Sequence, residues 1–598
     1  MAKSPLPLIL FGLSLFAGPA AGSPAFSIQE AGGKWWLTKP SGEHFFSLGV
    51  CVVDQGASPG QFCSTNPGYA SFQHYTNAEQ WTDSTLHRLT DWHFTTVGGW
   101  SDFAALRQCS GADVAFIPVL AVGMSCGAPW WDMWNTNLIA RMHQIAHERI
   151  APLRDDPRVL GYYTDNEMGW WNAALLKLTL QQPAPSAQKQ RLLRLLRTTY
   201  HNRWPELLKD FDPVGADSFD ALERSGMLYL RPGSRGIRVY RQFLYLMAQR
   251  YYALARESIR TCDSRGLILG DRYQSFYYPE VARAAAGEVD AVSSNLNAAW
   301  NDGSFPRFYL NTLHALSRRP ILVSEFYVTA QQNRSGDPNS ASTFPVVATQ
   351  AERAAGFRHT LETLARLPWV LGADWFQYYD EPPFGRGDGE NYNFGLVDIH
   401  NEPYTELTAT AQTLDLAALK NRPPSARSDA TLGVPPAPAE PLGHFSIRLA
   451  LEDWDRERGF VPPASPAPVA DLYVCWSPKA VYLGVYAQDI VELDYYRNKQ
   501  VPAIDRAEWI ISTGRQRRPI HVRLGPGGPP LCDDPVVRAA NLAGVYMNTR
   551  NIAALELPAE LFGKASLASG DVIRFASTFF THCQADRVEW KGRFTLRN

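Results

Sequence analysis

The sequence predicts a (β/α)8 TIM barrel, of class α/β, followed by a β-sandwich. Three observations carry that prediction: eight short apolar runs before residue 378, helical patterns between them, and a change to short alternating strands after a Pro-rich stretch. Apolar runs bounded by Pro and turn residues read as parallel strands buried on both faces. In order they are Phe45–Val50, Phe94–Trp100, Phe116–Val122, Val159–Glu167, Gly266–Tyr273, Val289–Asn295, Ile321–Val328 and Val370–Gln377. Helical periodicity fills Ala78–Trp92, Asn135–Ile150 and Ala351–Leu367. The fourth connection is long. Ala187–Phe211 and Arg238–Asp263 read as helices around a polar, Gly-containing stretch, so residues 172–263 are a helical insertion, either over the barrel top or as a subdomain away from it. Eight alternations ending near Leu414 fit one barrel over residues 30–420.

Residues 421–443 are rich in Pro, Ala and Ser, the composition of a semi-rigid linker. Beyond them, over 444–598, Phe445–Leu451, Leu472–Trp476, Val481–Tyr486 and Val572–Ala576 alternate without long helices, as in a β-sandwich.

At the other end, Lys3, the apolar run Leu6–Ala17 and small residues up to Gly22 read as a signal peptide over 1–22. The expected location is secreted or periplasmic. No later stretch reaches about 18 uninterrupted apolar residues, so no integral membrane segment is expected. A net charge of −2 over 598 residues gives no electrostatic reason to expect nucleic acid as a partner. Among eight Cys, Cys51 with Cys63 and Cys109 with Cys126 could pair in an oxidising compartment. No CxxC spacing is present, and His44, His74 and His359 lack ligand spacing, so no metal is expected. Eighteen Trp and twenty-five Tyr are enough to build a core and still offer faces for stacking on sugars.

Glu167 ends the fourth run and Glu325 lies in the seventh. A carboxylate is costly to desolvate where a buried strand surfaces, so two of them ask for a reason. Hydrolysis of a glycosidic bond with retention supplies one: a carboxylic acid protonates the leaving oxygen, and a carboxylate about 5–5.5 Å away attacks the anomeric carbon. Strands four and seven of a barrel face each other across its top, where catalytic groups gather. Glu167 is expected as the acid/base, with its pKa raised, and Glu325 as the ionised nucleophile. Asn166 would bond the sugar 2-hydroxyl, and Asp165 is expected to turn toward a backbone or Arg partner. Two unrelated structural carboxylates remain the plain alternative.

Asn166-Glu167 on strand four and Glu325 on strand seven resemble the retaining glycoside hydrolases of clan A. Thr96–Ser101, Gly161–Glu167, Ser324–Tyr327, and above all Gly372–Pro383 followed by Gly389–Asp398, resemble the β-agarases of glycoside hydrolase family 50. The resemblance covers roughly residues 35 to 410. It implies a secreted enzyme that cleaves β-1,4 linkages of agarose or a similar galactan, without a cofactor. It also implies Glu167 as acid/base and Glu325 as nucleophile. Trp100 and Trp375 would stack on sugars; Gln377, Asn295, Asn297, Arg272 and Glu390 would bond hydroxyls. Many clan relatives hold the nucleophile with a Tyr near the end of strand six. Here that strand ends Ser294-Asn295-Leu296-Asn297, so Tyr327 or Tyr273 would substitute. Residues 445–598 resemble family 9 carbohydrate-binding modules, with Trp454, Trp509 and Trp590 as candidates for a sugar site. Two other readings stay open: a clan A β-galactosidase or other β-glycanase, and a non-catalytic carbohydrate-binding surface protein.

Overall fold

The apolar runs form parallel strands. The computed structural model describes residues 25–598 apart from 110, 297–299, 423–431, 444, 446–449, 515–517, 527, 536 and 538–540. In chain order the parallel strands that these runs form in the first unit are β1 (Ser47–Val50), β2 (Thr96–Val97), β3 (Ala115–Phe116), β4 (Gly161–Tyr162), β5 (Leu267–Ile268), β6 (Val292–Leu296), β7 (Ile321–Phe326) and β8 (Val370–Trp375). Pairing runs β6-β7-β8-β1-β2-β3 in one sheet and β5-β4 in another, with every pair parallel. Parallel bridges Phe116–Val159 and Val119–Tyr163 join the β3 and β4 segments, and Tyr273–Ser294 joins the end of β5 to β6. Followed through these pairs, the order runs from β1 to β8 and returns to β1. Ala115 and Ile117, Leu267 and Leu269, Leu160, Leu322 and Leu371 share one buried cluster. Their spacing of two within a strand keeps those side chains on one face.

Helices lie between the strands: α1 (Ala78–Asp91), α2 (Thr136–Ile150), α3 (Asn172–Gln181), α4 (Ala187–Thr199), α5 (Ile237–Arg260), α6 (Pro279–Ala285), α7 (Arg307–Ser317) and α8 (Gln350–Arg366). The Asn77 side chain caps α1 by accepting from the Gln80 N–H, and Trp81, Thr85, Leu86 and Leu89 form its buried face. Thr349 and Glu352 form a capping box at the start of α8. The long fourth connection is not purely helical. Phe211–Val214 and Met227–Leu230 pair antiparallel inside it, in the polar stretch between the expected helices.

The second unit consists of β9 (Gly433–Val434), β10 (Phe460–Val461), β11 (Ala470–Trp476), β12 (Ala480–Gln488), β13 (Ala507–Ser512), β14 (Ile520–Leu524), β15 (Leu531–Cys532), β16 (Leu542–Met547), β17 (Arg550–Pro558), β18 (Val572–Phe580) and β19 (Arg587–Leu596). Its sheets have the orders β10-β11-β12-β17-β16 and β9-β19-β18-β13-β14-β15. Pairing is antiparallel except between β9 and β19. Leu472, Val474, Leu483 and Val485 from one sheet meet Trp509, Ile511, Phe579 and Trp590 from the other in one cluster. Thus a mixed α/β unit is followed by an all-β unit.

The linker expected over 421–443 differs from what is seen. Residues 423–431 lie outside the described set, and Gly433–Val434 is a strand of the second unit. Of the strand expected at Phe445–Leu451, residues 446–449 lie outside that set, and Ala450 and Leu451 occupy a turn. The two units also share a core. Trp300 and Phe308 of the first belong to the same cluster as Trp454, Tyr473 and Tyr486 of the second. Buried carboxylates reinforce this contact. Asp471 accepts from the N–H groups of Arg307 (2.5 Å) and Phe308 (3.1 Å) at the start of α7. Glu492 accepts from Asn172 (2.6 Å) and Ala173 (2.8 Å) at the start of α3. Such N–H groups have no partner within their own helix and carry its positive pole.

Candidate active site

Glu167 stands just beyond β4, held there by backbone bonds to the β5 segment. Thr164 N–H donates to Gly270 O (2.8 Å) and Glu167 N–H to Arg272 O (3.2 Å). Both Glu167 (φ 49°) and Arg272 (φ 49°) adopt left-handed backbone, which non-Gly residues take at an energetic cost. Asp165 faces the other way. Its carboxylate accepts from Gly123 N–H, Met124 N–H and the Tyr251 hydroxyl, as its expected structural role requires.

Glu325 is on β7, and the β6–β7 register sets Asn295 beside it. Asn295 Nδ2 donates to Glu167 Oε1 (2.8 Å), while its Oδ1 accepts from the Ser324 hydroxyl (2.8 Å). Arg272 lies wholly buried beneath. Its Nε donates to Asn166 Oδ1 (2.9 Å) and its Nη2 binds Glu325. With its carbonyl committed to Arg272, Asn166 keeps its amide nitrogen as a donor for a ligand. Glu167 and Glu325 line one cavity of about 690 Å³, together with Asn166, Asn295, Trp100, Tyr327 and Glu390.

Burial pushes the Glu325 carboxyl up to about 7; Arg272 opposes that shift and Glu167 adds to it. Glu325 is the more enclosed group, so desolvation falls on it. Arg272 is disfavoured by burial too, yet Glu325 and the other groups around it keep its guanidinium firmly charged. Burial also lifts Asp374, behind Arg272, to about 7.

Several expected contacts sit elsewhere. Trp375 is fully buried and packs on Phe326 and Phe357, with its Nε1 donating to Phe394 O (2.8 Å). Successive strand side chains face opposite sides. Asp374 turns inward to the Tyr163 hydroxyl (2.8 Å), which sends Trp375 outward onto α8. Gln377 is buried and bonds Tyr379 O (2.9 Å). Tyr273 is buried against the Tyr252 hydroxyl (2.8 Å), so it does not hold Glu325. Arg272 does, from below the cavity wall, which makes it a support for the carboxylate and not a sugar contact. Asn297 lies outside the described residues. Trp100, 41% exposed, offers a face for stacking. In the second unit Trp454, Trp509 and Trp590 are all buried, which removes them as a sugar platform. All eight cysteines are unpaired.

Sequence reading missed other lining residues: Trp171, Gln274, Phe276, Phe344, Arg386, and Met547 to Arg550 of the second unit. Gln274 Nε2 reaches Glu167 Oε2 (3.4 Å), and its position directly after the fifth apolar run was a usable signal. Nothing local in the sequence marks the 547–550 turn. Among the described residues no helix is long and apolar enough to cross a membrane, and no His/Cys/Asp/Glu group could hold a metal ion.

No protein-family model matches the chain. The mixed α/β fold is similar to that of solved agarases. The crystal structure of an agarase, AgWH50C, superposes with a TM-score of 0.56 at 22% identity, over 67% of this chain and 66% of that one. An exo-beta-agarase gives 0.56 at 20% identity, over 67% and 66%. By sequence the chain is similar to two proteins of Vibrio sp. (strain JT0107). Beta-agarase B is 24% identical over 494 residues, covering 67% of this chain and 49% of that protein. Beta-agarase A is 25% identical over 461 residues, covering 64% and 44%. The chain thus spans about half the length of the curated relatives it matches.

Proposed function

We propose that this chain is a glycoside hydrolase that cleaves β-galactosidic linkages of agarose or a similar galactan, by double displacement. The observation that carries the reading is the convergence of Glu167 and Glu325 on one cavity, joined by Asn295 and by the Arg272–Asn166 bond. The names of the sequence relatives support the substrate class.

In this mechanism Glu325 attacks the anomeric carbon while Glu167 gives its proton to the departing glycosidic oxygen. Glu167 then takes a proton from the water that breaks the glycosyl ester. Enclosure and the guanidinium contact suit Glu325 to the nucleophile, which needs charge and no exchange with solvent. Glu167 is the less buried of the two, as an acid/base that must reload from water should be. The Asn166 amide would donate to the 2-hydroxyl, and Trp100 would stack on a ring. Within the same proposal, the closed strand order is a (β/α)8 barrel over residues 30–420, and the all-β unit, which the strand Gly433–Val434 joins ahead of the expected start at 444, is a β-sandwich akin to a carbohydrate-binding module. Residues 1–22 would direct export, which the N-terminal sequence of the mature protein would check.

The test is product analysis on agarose and neutral agaro-oligosaccharides, with proton NMR of the first-formed anomer. Hydrolysis with retention is expected, and Glu325→Gln should abolish it while the oligosaccharide still binds. An inverted product would sink the double displacement; undiminished turnover in Glu325→Gln would remove Glu325 from it. Turnover of aryl-galactosides alone would move the substrate to simple β-galactosides.

A further inference from the structure

The turn between β16 and β17 belongs to the second unit, yet Met547, Asn548, Thr549 and Arg550 form part of the wall around Glu167 and Glu325. Arg550 is the charged member of that turn. Its Nη1 donates to the Tyr486 hydroxyl (2.6 Å) and its Nη2 to the Ser275 hydroxyl (3.0 Å), both neutral. Among the described residues no carboxylate pairs with it. The other cation in the wall, Arg386, is instead matched by Glu381, Asp388 and Glu390. Burial raises the Tyr327 phenol; Glu325 and Glu167 add to that shift and Arg550 opposes it. Burial raises the Tyr309 phenol, and Arg550 and Glu167 then act on it with opposite signs.

A guanidinium presents five N–H donors in a planar fork; two hydroxyls and the Tyr486 ring, 5.9 Å away, leave most of that fork unfilled and its charge without a counter-ion. The guest that completes it best is an oxyanion, because charge-assisted, bidentate bonds exceed those to neutral acceptors. The acidic lining (Glu167, Glu325, Glu390 and Asp54) would repel such a group everywhere but at this edge. We propose that Arg550 is a specificity-determining residue that takes an anionic substituent, a sulfate ester or a uronate carboxylate, on a sugar lying in the cleft. The inference rests on the glycan-cleft reading above and extends it from neutral to charged chains.

The test uses the full-length chain carrying Glu325→Gln, so that ligands persist, with and without Arg550→Gln. Calorimetric titration compares a neutral agaro-oligosaccharide, its mono-sulfated congener and a congener ending in a uronic acid. At least one anionic ligand should bind about tenfold more tightly than the neutral one, and Arg550→Gln should erase that preference with neutral affinity kept. Whichever arm gains identifies sulfate or carboxylate. Arg550→Lys, which keeps the charge but not the fork, should retain part of the preference and guards against a folding defect in the Gln variant. Equal binding of all three ligands, or a preference that survives Arg550→Gln, overturns the proposal. Hydrolysis of the neutral ligand by the unsubstituted chain separates the two readings. Turnover without any charge preference sinks only the Arg550 assignment, whereas Arg550-dependent anion binding without turnover sinks only the hydrolase reading.

Discussion

Arg272 holds a full positive charge beneath the cleft with no solvent access, and Glu325 is its principal counter-charge. Losing either partner would leave the other buried and unpaired, which costs about 3–5 kcal/mol. The pair also fixes the pH response. With Glu325 lifted to about 7, a mechanism that needs it ionised has a kcat/KM that falls as pH drops below about 7. Arg272→Met removes the charge that opposes the rise. The acid limb should therefore move to higher pH, while Arg272→Lys should return it part of the way. A pH profile that does not move in Arg272→Met would reduce Arg272 to packing. Glu167→Gln should lower turnover by about 10²–10⁴-fold, less on aryl glycosides whose leaving group needs no protonation. A uniform loss across leaving groups would argue against an acid role.

At the scale of elements, helix starts in the first unit are capped from the second. Glu492 serves α3 and the Tyr278 hydroxyl together (2.6, 2.8 and 2.5 Å), and burial raises it from an ordinary 4.5 to about 7. A carboxyl whose folded pKa exceeds its unfolded one stabilises the fold fully below the unfolded value, and that contribution is lost as pH rises through the folded value. Stability should therefore decline between about pH 4.5 and 7 from this group, and Glu492→Gln should flatten the decline. Denaturant midpoints measured across that range check it; an unchanged slope in Glu492→Gln would assign the decline to other carboxyls, such as Asp489. The apolar runs of these elements were legible because each buried strand needs them on both faces. The hairpin Phe211–Val214 with Met227–Leu230 was not, since Asp212 and Pro213 read as turn residues and only pairing with Tyr229 and Leu228 places them inside a strand.

Across the whole molecule, the second unit closes the first. The Trp300 indole donates to Ala450 O (2.8 Å) and packs near Tyr486 (5.5 Å between rings). A chain ending at residue 443 would expose this apolar surface and lose the 547–550 wall of the cleft. It should associate in size-exclusion chromatography and lose most of its kcat/KM. A monomeric, fully active truncation would instead make the second unit a module that the first does not need, joined by the semi-rigid linker that the Pro-rich composition of 421–443 suggested.

From the sequence alone came the strand series, the change of architecture after residue 421, and Glu167 and Glu325 as the pair to examine, because local apolar pattern and the cost of a strand-end carboxylate are encoded within a few residues. Only the tertiary structure decided that Trp375 faces a helix, that Arg272 and not a tyrosine holds Glu325, and that Arg550 reaches the cleft from another unit. Those outcomes depend on which face of a strand turns inward and on which surfaces dock. Both are set by packing between segments hundreds of residues apart, and no local window of sequence contains that information.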